Sequence, residues 1–379
     1  MSVPRTSSPQ DLDPNFAVSQ PGSELLWYDG LRLPRTGQGW RGEELERPLD
    51  RLPARSRDLI PAAVWSLSRH SAGIEVRFAT DAREIGARWT VLNPGLAMDH
   101  MPATGVSGLD LYGLDGETWR FLAVGRPTQT PTNQVKLIAD LPPGMREYRL
   151  YLPLYNGVES LSLGIPKGAT LQAPAAIPAL PVVCYGTSIV QGGCASRPGM
   201  AYPALLGRRL GVPTFNLGFS GNGKAELELA RLLGEIEASA YVIDPLPNLT
   251  EELVAERIVP FLGALRGRRP GVPILLVENT CYQQSWLALG KLNARTPKND
   301  LLRRLAAPLL SSDPLLSYVA SETLLGEDGE ATVDGCHPTD LGFSRMADAL
   351  APVLEKALGQ GPRGDKGGKM AEEGNAKSR

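Results

Sequence analysis

The chain has 379 residues, of which 42% are hydrophobic and 21% charged, the composition of a globular protein with enough apolar material for more than one core. A formal net charge of −2 gives no broad attraction to nucleic acids or to anionic membranes, so neither is expected as a partner. The N-terminus lacks the apolar core of a signal peptide, and a cytoplasmic location is therefore expected. Four cysteines without C-x-x-C spacing and only three histidines argue against a zinc site, a disulfide framework and a multi-histidine metal hydrolase, although they do not exclude a carboxylate-rich magnesium site. No metal or other cofactor is predicted.

The first half of the chain has the pattern of β-structure. Residues 1–21 are polar and predicted to be disordered. In residues 22–165, stretches such as GIEVRFATD and REYRLYLPLY alternate apolar with polar side chains between turn residues. This period of two predicts an antiparallel β-sandwich, and we expect a domain of jelly-roll type.

The second half has the pattern of an α/β domain. Residues 166–181 are rich in proline and alanine and predict a stiff linker. From 182 to 358 apolar strands alternate with amphipathic helices, with strands expected at 182–186, 213–218, 240–244, 273–278 and 315–320. Such alternation predicts a parallel sheet flanked by helices. The glycine-rich, charged tail at 359–379 is predicted to be disordered.

One loop of the second domain approaches a phosphate-binding motif. The stretch GFSGNGKA, residues 218–225, departs from G-x-x-x-x-G-K-[ST] only at Ala225. That position needs a hydroxyl to hold magnesium, and the loop follows the second strand of the domain rather than the first. Nucleotide binding through Lys224 therefore stays open only as a remote alternative.

A second constellation points to nucleophilic catalysis. Ser188 follows the first strand of the parallel sheet, at the edge where open α/β folds bind ligands. A serine hydroxyl needs a base, and His337 is the one histidine of the second domain. Asp334 precedes it by three residues, where a carboxylate can accept from Nδ1–H and orient the ring. We therefore predict Ser188, His337 and Asp334 as catalytic residues.

An oxyanion hole is expected beside the serine. The candidate donors are the N–H of Ser188, the backbone at Gly221 and the side-chain amide of Asn248, each after a strand of the sheet. Asn248 has an alternative role as the cap of the following helix, although Thr250 could fill that role instead.

These motifs resemble the four blocks of the SGNH, or GDSL, hydrolases. GTSIVQGG resembles the first block with Ser188, GFSGNG the second with Gly221, PLPNLT the third with Asn248, and DGCHPTDLG the fourth with Asp334 and His337. Two positions depart from the family pattern. Thr187 replaces the usual aspartate before the serine, and the usual Gly-x-Asn-Asp is Leu-Pro-Asn-Leu.

The front domain carries its own resemblance, since GVSGLDLY at 105–112 is similar to the Gly-x-Asp-Leu-Tyr signature of a β-domain that precedes one branch of this family. The resemblance implies a three-layer α/β/α domain behind a jelly-roll and a serine esterase without cofactor. Its expected substrates are short acyl esters, above all acetyl esters of carbohydrates. Lipid or thioester substrates and a non-catalytic binding module are the alternatives.

A polar loop of the front domain could contribute to the site. The stretch LNPGLAMDHMPATGVSG contains Asp99, His100 and Met101 among glycines and prolines. It is either a surface loop or a segment that reaches over the active site to contact the substrate. The sequence does not decide between these, and it gives no indication of the oligomeric state.

Overall fold

The computed structural model describes residues 17–19, 24–40, 42–177 and 179–359. The predicted disordered ends, 1–21 and 359–379, lie outside these residues except for the strand β1 (Ala17–Ser19) and for Gly359. Within the described ranges, no helix combines the length and the hydropathy needed to span a membrane.

The front domain is built from two antiparallel sheets. Its strands are, in chain order, β1 (Ala17–Ser19), β2 (Leu25–Asp29), β3 (Arg35–Thr36), β4 (Glu75–Thr80), β5 (Ile85–Val91), β6 (Leu109–Asp115), β7 (Thr118–Gly125), β8 (Thr132–Ile138), β9 (Arg146–Tyr151), β10 (Val158–Pro166) and β11 (Leu171–Gln172). One sheet has the order β1-β2-β10-β5-β8, and the other β11-β4-β9-β6-β7, with β3 paired to β4. Phe78 from one sheet and Trp89 from the other are fully buried in a shared core, which is the arrangement of a sandwich.

The second domain has a five-stranded parallel sheet between two layers of helices. Its strands are β12 (Val182–Gly186), β13 (Thr214–Gly218), β14 (Ala240–Asp244), β15 (Ile274–Val277) and β16 (Leu316–Val319). Their order is β13-β12-β14-β15-β16, so β13 lies on one side of β12 and the later strands lie on the other. The switch point of this parallel sheet is therefore between β12 and β14. Ligands of open α/β sheets bind at such a switch point, outside the carboxyl ends of the strands.

The α-helices of the described residues are α1 (Ala62–Ser68), α2 (Ala103–Val106), α3 (Ser188–Gln191), α4 (Tyr202–Leu210), α5 (Leu227–Leu233), α6 (Glu251–Arg268), α7 (Leu289–Ser312) and α8 (Asp340–Ala357). Helices α5, α6 and α7 pack against one face of the parallel sheet, and α4 and α8 against the other. The predicted fold class, a three-layer α/β/α domain preceded by an all-β domain, is thus confirmed.

The segment between β3 and β4 packs against the second domain. Trp40 and Trp65 from this segment share a core with Phe215 on β13. The buried Arg51 donates to the carbonyl oxygens of Asn216 and Gly218, at 2.8 and 2.9 Å. Part of the region predicted as a front sandwich therefore supports the strand that leads into the second block.

The Gly-x-Asp-Leu-Tyr signature forms a further contact between the domains. The buried carboxylate of Asp110 accepts from Arg197 and from the N–H of Gly199, both at 2.8 Å, and Tyr112 accepts from Arg197 through its hydroxyl. A side chain on Gly199 would collide with both Asp110 and Tyr112. These contacts hold the loop that follows α3, and so the front domain is coupled to the neighbourhood of Ser188.

The predicted linker is only partly separate from the front domain. β11 lies within residues 166–181 and pairs with β4, so this part of the segment continues the second sheet of the sandwich.

Candidate active site

Ser188 stands in a tight turn between β12 and α3. Thr187 caps α3 by accepting from the N–H of Ile189, and Gly192 ends the helix with a left-handed φ of +106°, which suits glycine. On the other side of the serine, a Cβ at Gly186 would lie 2.2 Å from the carbonyl oxygen of Asp244. Close backbone contacts at Gly186 leave room only for glycine in this turn, which presents Ser188 with 7% of the residue exposed.

The three predicted catalytic residues form one chain of hydrogen bonds. The Oγ of Ser188 lies 2.9 Å from Nε2 of His337, and Nδ1 of His337 lies 2.7 Å from Asp334. Because the carboxylate can only accept, the proton of the neutral ring resides on Nδ1, and the lone pair of Nε2 faces the serine hydroxyl.

Backbone N–H groups of the following residues also hold the Asp334 carboxylate in place. One oxygen of Asp334 accepts from the N–H groups of Cys336 and His337, at 2.9 and 2.8 Å. Partial burial would raise the pKa of this carboxyl, but the hydrogen bonds from His337 and Cys336 outweigh it and lower the pKa to about 2. Asp334 is therefore ionised throughout the neutral range and can stabilise a protonated His337.

The loops after β13 and β14 meet beside the serine turn. Gly221 has a left-handed φ of +67°, and Asn248 donates to the carbonyl oxygen of Asn222 at 2.7 Å. In the part of the chain that the structure describes, the N–H groups of Ser188 and Gly221 have no protein acceptor. Thr250, not Asn248, caps α6. The second N–H of the Asn248 amide is thus available to a ligand.

The loop at 218–225 is not arranged as a phosphate cradle. The N–H of Ser220 donates to Gln191, that of Asn222 to the carbonyl of Phe219, and that of Lys224 to the Glu226 carboxylate. Three of the loop's amide groups are therefore already used within the protein, and the Glu226 carboxylate beside Lys224 would repel an anion.

Sequence reasoning missed three residues that support the site: Gln191 within the first block, and Tyr155 and His70 in the front domain. Tyr155 of the front domain donates to the carbonyl oxygen of Ser188 at 3.3 Å. Gln191 accepts from the N–H of Ser220 and donates to Nδ1 of His70 at 3.1 Å. Burial and the nearby Arg51 charge lower the pKa of His70 to about 4, so its neutral ring accepts this bond.

The polar front-domain loop reaches His337. Met98 and Met101 pair through both backbone groups, and this tight turn projects the exposed His100. Its ring centroid is 5.6 Å from that of His337, edge to face. This position agrees with the second of the two possibilities for the loop, a segment that reaches over the site. His100 is also one of three side chains that could hold a metal there.

Comparison with known proteins identifies the family. The profile of the GDSL-like lipase/acylhydrolase family matches residues 179–355, and that of the GxDLY N-terminus of SGNH-hydrolase-type esterases matches 25–171. A Bacteroides ovatus protein described as a GDSL-like lipase is 32% identical, with a TM-score of 0.83 over 88% of this chain and 98% of that one. The chain belongs to the GDSL-like hydrolase family.

More distant structures share the fold of this GDSL hydrolase. The salicylyl-acyltransferase SsfX3 of a tetracycline biosynthetic pathway is 19% identical, with a TM-score of 0.62 over 91% of this chain and 94% of that one. A family two carbohydrate esterase from Clostridium thermocellum, in complex with cellohexaose, is 16% identical, with a TM-score of 0.51 over 76% and 93%. No match was found among curated proteins.

Beside Asp334, this GDSL hydrolase has an open cavity with an apolar rim. A space of about 600 Å³ is lined by Asp334 and by three exposed apolar residues, Trp286, Leu287 and Val333. Trp286 is 83% exposed, and Gln284 beside it donates to the carbonyl of Asp334 at 2.9 Å. An exposed aromatic ring next to the Asp334 turn offers a flat surface to a ligand.

Proposed function

We propose that the protein is a serine esterase in which Ser188 is the nucleophile, His337 the general base and Asp334 the residue that orients it. The observation that carries the proposal is the unbroken hydrogen-bonded chain from Ser188 Oγ through His337 to Asp334 at the switch point of the sheet. These three groups stand in the geometry that activates a serine hydroxyl.

The reaction proceeds through an acyl-enzyme. Ser188 Oγ attacks the ester carbonyl carbon while its proton passes to Nε2 of His337, and the ionised Asp334 stabilises the imidazolium. The developing oxyanion receives hydrogen bonds from the N–H groups of Ser188 and Gly221 and from the amide of Asn248. The alcohol leaves with the proton of His337. Water, deprotonated by the same histidine, then hydrolyses the acyl-serine and releases the carboxylic acid.

The expected substrate is a short acyl ester, most simply an acetyl ester, carried by a carbohydrate. The acyl group follows from the sequence resemblance. The sugar is supported by the likeness of fold to a carbohydrate esterase and by the exposed Trp286 beside the catalytic turn, because sugar rings bind to aromatic faces through their apolar C–H groups. Lipid esters and thioesters are the competing substrates.

The first experiment measures hydrolysis of p-nitrophenyl acetate, with a chelator present, by the parent and by Ser188→Ala. Loss of the nucleophile should lower the rate by at least about a thousandfold with the melting temperature retained. Ser311→Ala on the exposed face of α7 is the matched control. Near-parental rates in Ser188→Ala would contradict the assignment of Ser188 as the nucleophile.

The second experiment tests the substrate class. Acetylated oligosaccharides, long-chain p-nitrophenyl esters and an acyl thioester are compared by kcat/KM, and the oligosaccharides should be preferred. Trp286→Ala should raise KM for the oligosaccharide about 3- to 10-fold, because one aromatic contact is lost. Trp286→Phe should keep most of the parental affinity. A preference for long-chain esters or thioesters would contradict the carbohydrate assignment.

A further inference from the structure

Three metal-ligating side chains converge at the mouth of the active site. They are His100 from the front-domain loop, Cys194 from the loop after α3, and His337. One ligating atom of each lies within 4.8 Å of the others. They come from three separate segments of the chain, so their approach is a product of the tertiary structure and not of a local sequence motif.

Each of the three has a ligating atom that can be turned to a metal. Asp334 holds Nδ1 of His337, which leaves Nε2 as the only metal-binding atom of that ring. A carboxylate that binds the second nitrogen of a ligating histidine fixes the ring and raises its basicity. Across the described ranges, neither the His100 ring nor the Cys194 thiol has a hydrogen-bond or ion-pair partner.

The chemistry of this set selects a class of ion. Two imidazoles and one thiolate suit Zn²⁺, Co²⁺ and Cd²⁺, whereas Mg²⁺ and Ca²⁺ prefer oxygen ligands. In a tetrahedral zinc site neighbouring ligand atoms lie about 3.5 Å apart. The cluster therefore needs to contract by at most about 1.3 Å, the difference between 4.8 and about 3.5 Å. The exposed His100 can provide this movement by rotation of its side chain.

We propose that His100, Cys194 and His337 form a site for a zinc-class divalent cation, with water as the fourth ligand, and that the bound metal inhibits the enzyme. On binding, the Cys194 thiol releases its proton to solvent, and the metal takes the Nε2 lone pair of His337. The hydrogen bond from Ser188 to that nitrogen is lost, and the serine has no base. Metal binding is independent of the proposed function; only the inhibition rests on it.

Binding is tested first, in the Ser188→Ala protein, so that the result does not depend on catalysis. Titration with Co²⁺ should give a near-ultraviolet thiolate-to-cobalt absorption band that saturates at one ion per chain, and Zn²⁺ should displace it. Zn²⁺ should also raise the melting temperature, because the assembled site binds it more tightly than the unfolded chain does. No thiolate band, or no saturation, would overturn the site.

Variants then assign the ligands. Cys194→Ser should abolish the band, and His100→Ala should weaken the affinity at least about tenfold. Cys336→Ser, the neighbouring thiol, and Cys281→Ser, a thiol outside the cluster, are the matched controls and should keep the band. Circular dichroism and the melting temperature establish that each variant is folded. A band that survives Cys194→Ser, or that Cys336→Ser removes, would contradict the assignment.

Inhibition is tested on the active enzyme. Micromolar Zn²⁺ should suppress ester hydrolysis and a chelator should restore it. His100→Ala should need at least about tenfold more Zn²⁺ for half-inhibition, each variant being compared with its own metal-free rate. Activation by Zn²⁺, or equal sensitivity of parent and His100→Ala, would overturn the inhibitory role. A chain that binds Co²⁺ through Cys194 but hydrolyses no ester would instead contradict the proposed function alone.

Discussion

Acidification between about pH 6.5 and 4 should destabilise the protein through His70, whose ring lies beneath the serine turn. His70 accepts from Gln191 through Nδ1, and burial together with the charge of Arg51 lowers its pKa to about 4. In the unfolded chain the same group has a pKa of about 6.5. The unfolded state therefore binds the proton first, and stability that is fully present above pH 6.5 is lost as the pH falls toward 4.

The magnitude follows from the two pKa values. A shift of one pKa unit corresponds to about 1.4 kcal/mol, so lowering the pH from about 7.5 to 4.5 should remove about 2–3 kcal/mol of unfolding free energy through this group. The measurement is urea unfolding of the parent and of His70→Asn at both pH values. The asparagine oxygen can take the place of Nδ1 as an acceptor for Gln191 but does not titrate.

The comparison between the two proteins isolates His70 from the other titrating groups. The loss of stability in His70→Asn should be smaller than that of the parent by about 2–3 kcal/mol. Equal losses in the two proteins would refute the reasoning, because His70 would then titrate alike in the folded and unfolded chain.

Three further substitutions test the site. Asp334→Asn should lower kcat about 10⁴-fold with the fold retained, because an amide can hold the His337 ring in the wrong tautomer; a loss below about tenfold would exclude the orienting role. Asn248→Ala should lower kcat about 10²- to 10³-fold with little change in KM, since its amide acts only as charge develops on the oxyanion; an unchanged kcat would remove it from the site. Lys224→Ala should keep both esterase activity and stability, and saturable binding of ATP by the parent would revive the phosphate-loop interpretation.

The contacts among Ser188, His337 and Asp334 could be predicted from simple rules of local and sheet geometry. Asp334 and His337 lie three residues apart in one turn, so their contact needs no knowledge of the rest of the fold. The contact between Ser188 and His337 spans 149 positions, but it follows once the sheet is known to be parallel, since its carboxyl ends share one edge. The same argument correctly predicted the fold class from the alternation of strands and helices.

The supporting residues could not be predicted, and the reason is physical. Arg51 and Tyr155 lie in the front domain and bind backbone carbonyls of the second. The sequence does not show which backbone carbonyls accept such hydrogen bonds, because every residue carries a carbonyl. The position of His100 depends in the same way on how one loop of the sandwich sits against the parallel sheet. Side chains that join two domains become recognisable only when both are in place.

The proposed mechanism requires Ser188 to carry the acyl group during turnover. Mass spectrometry of protein quenched in acid during the hydrolysis of p-nitrophenyl acetate measures this directly. His337→Ala serves as a control, because loss of the base removes the activation of both Ser188 and the attacking water. The parent should carry one acetyl group on the peptide that contains Ser188, and an active-site-directed fluorophosphonate should block that acetylation and modify the same residue. Hydrolysis that continues after complete modification of Ser188, or an acetyl group found on another residue, would contradict the assignment of Ser188 as the nucleophile.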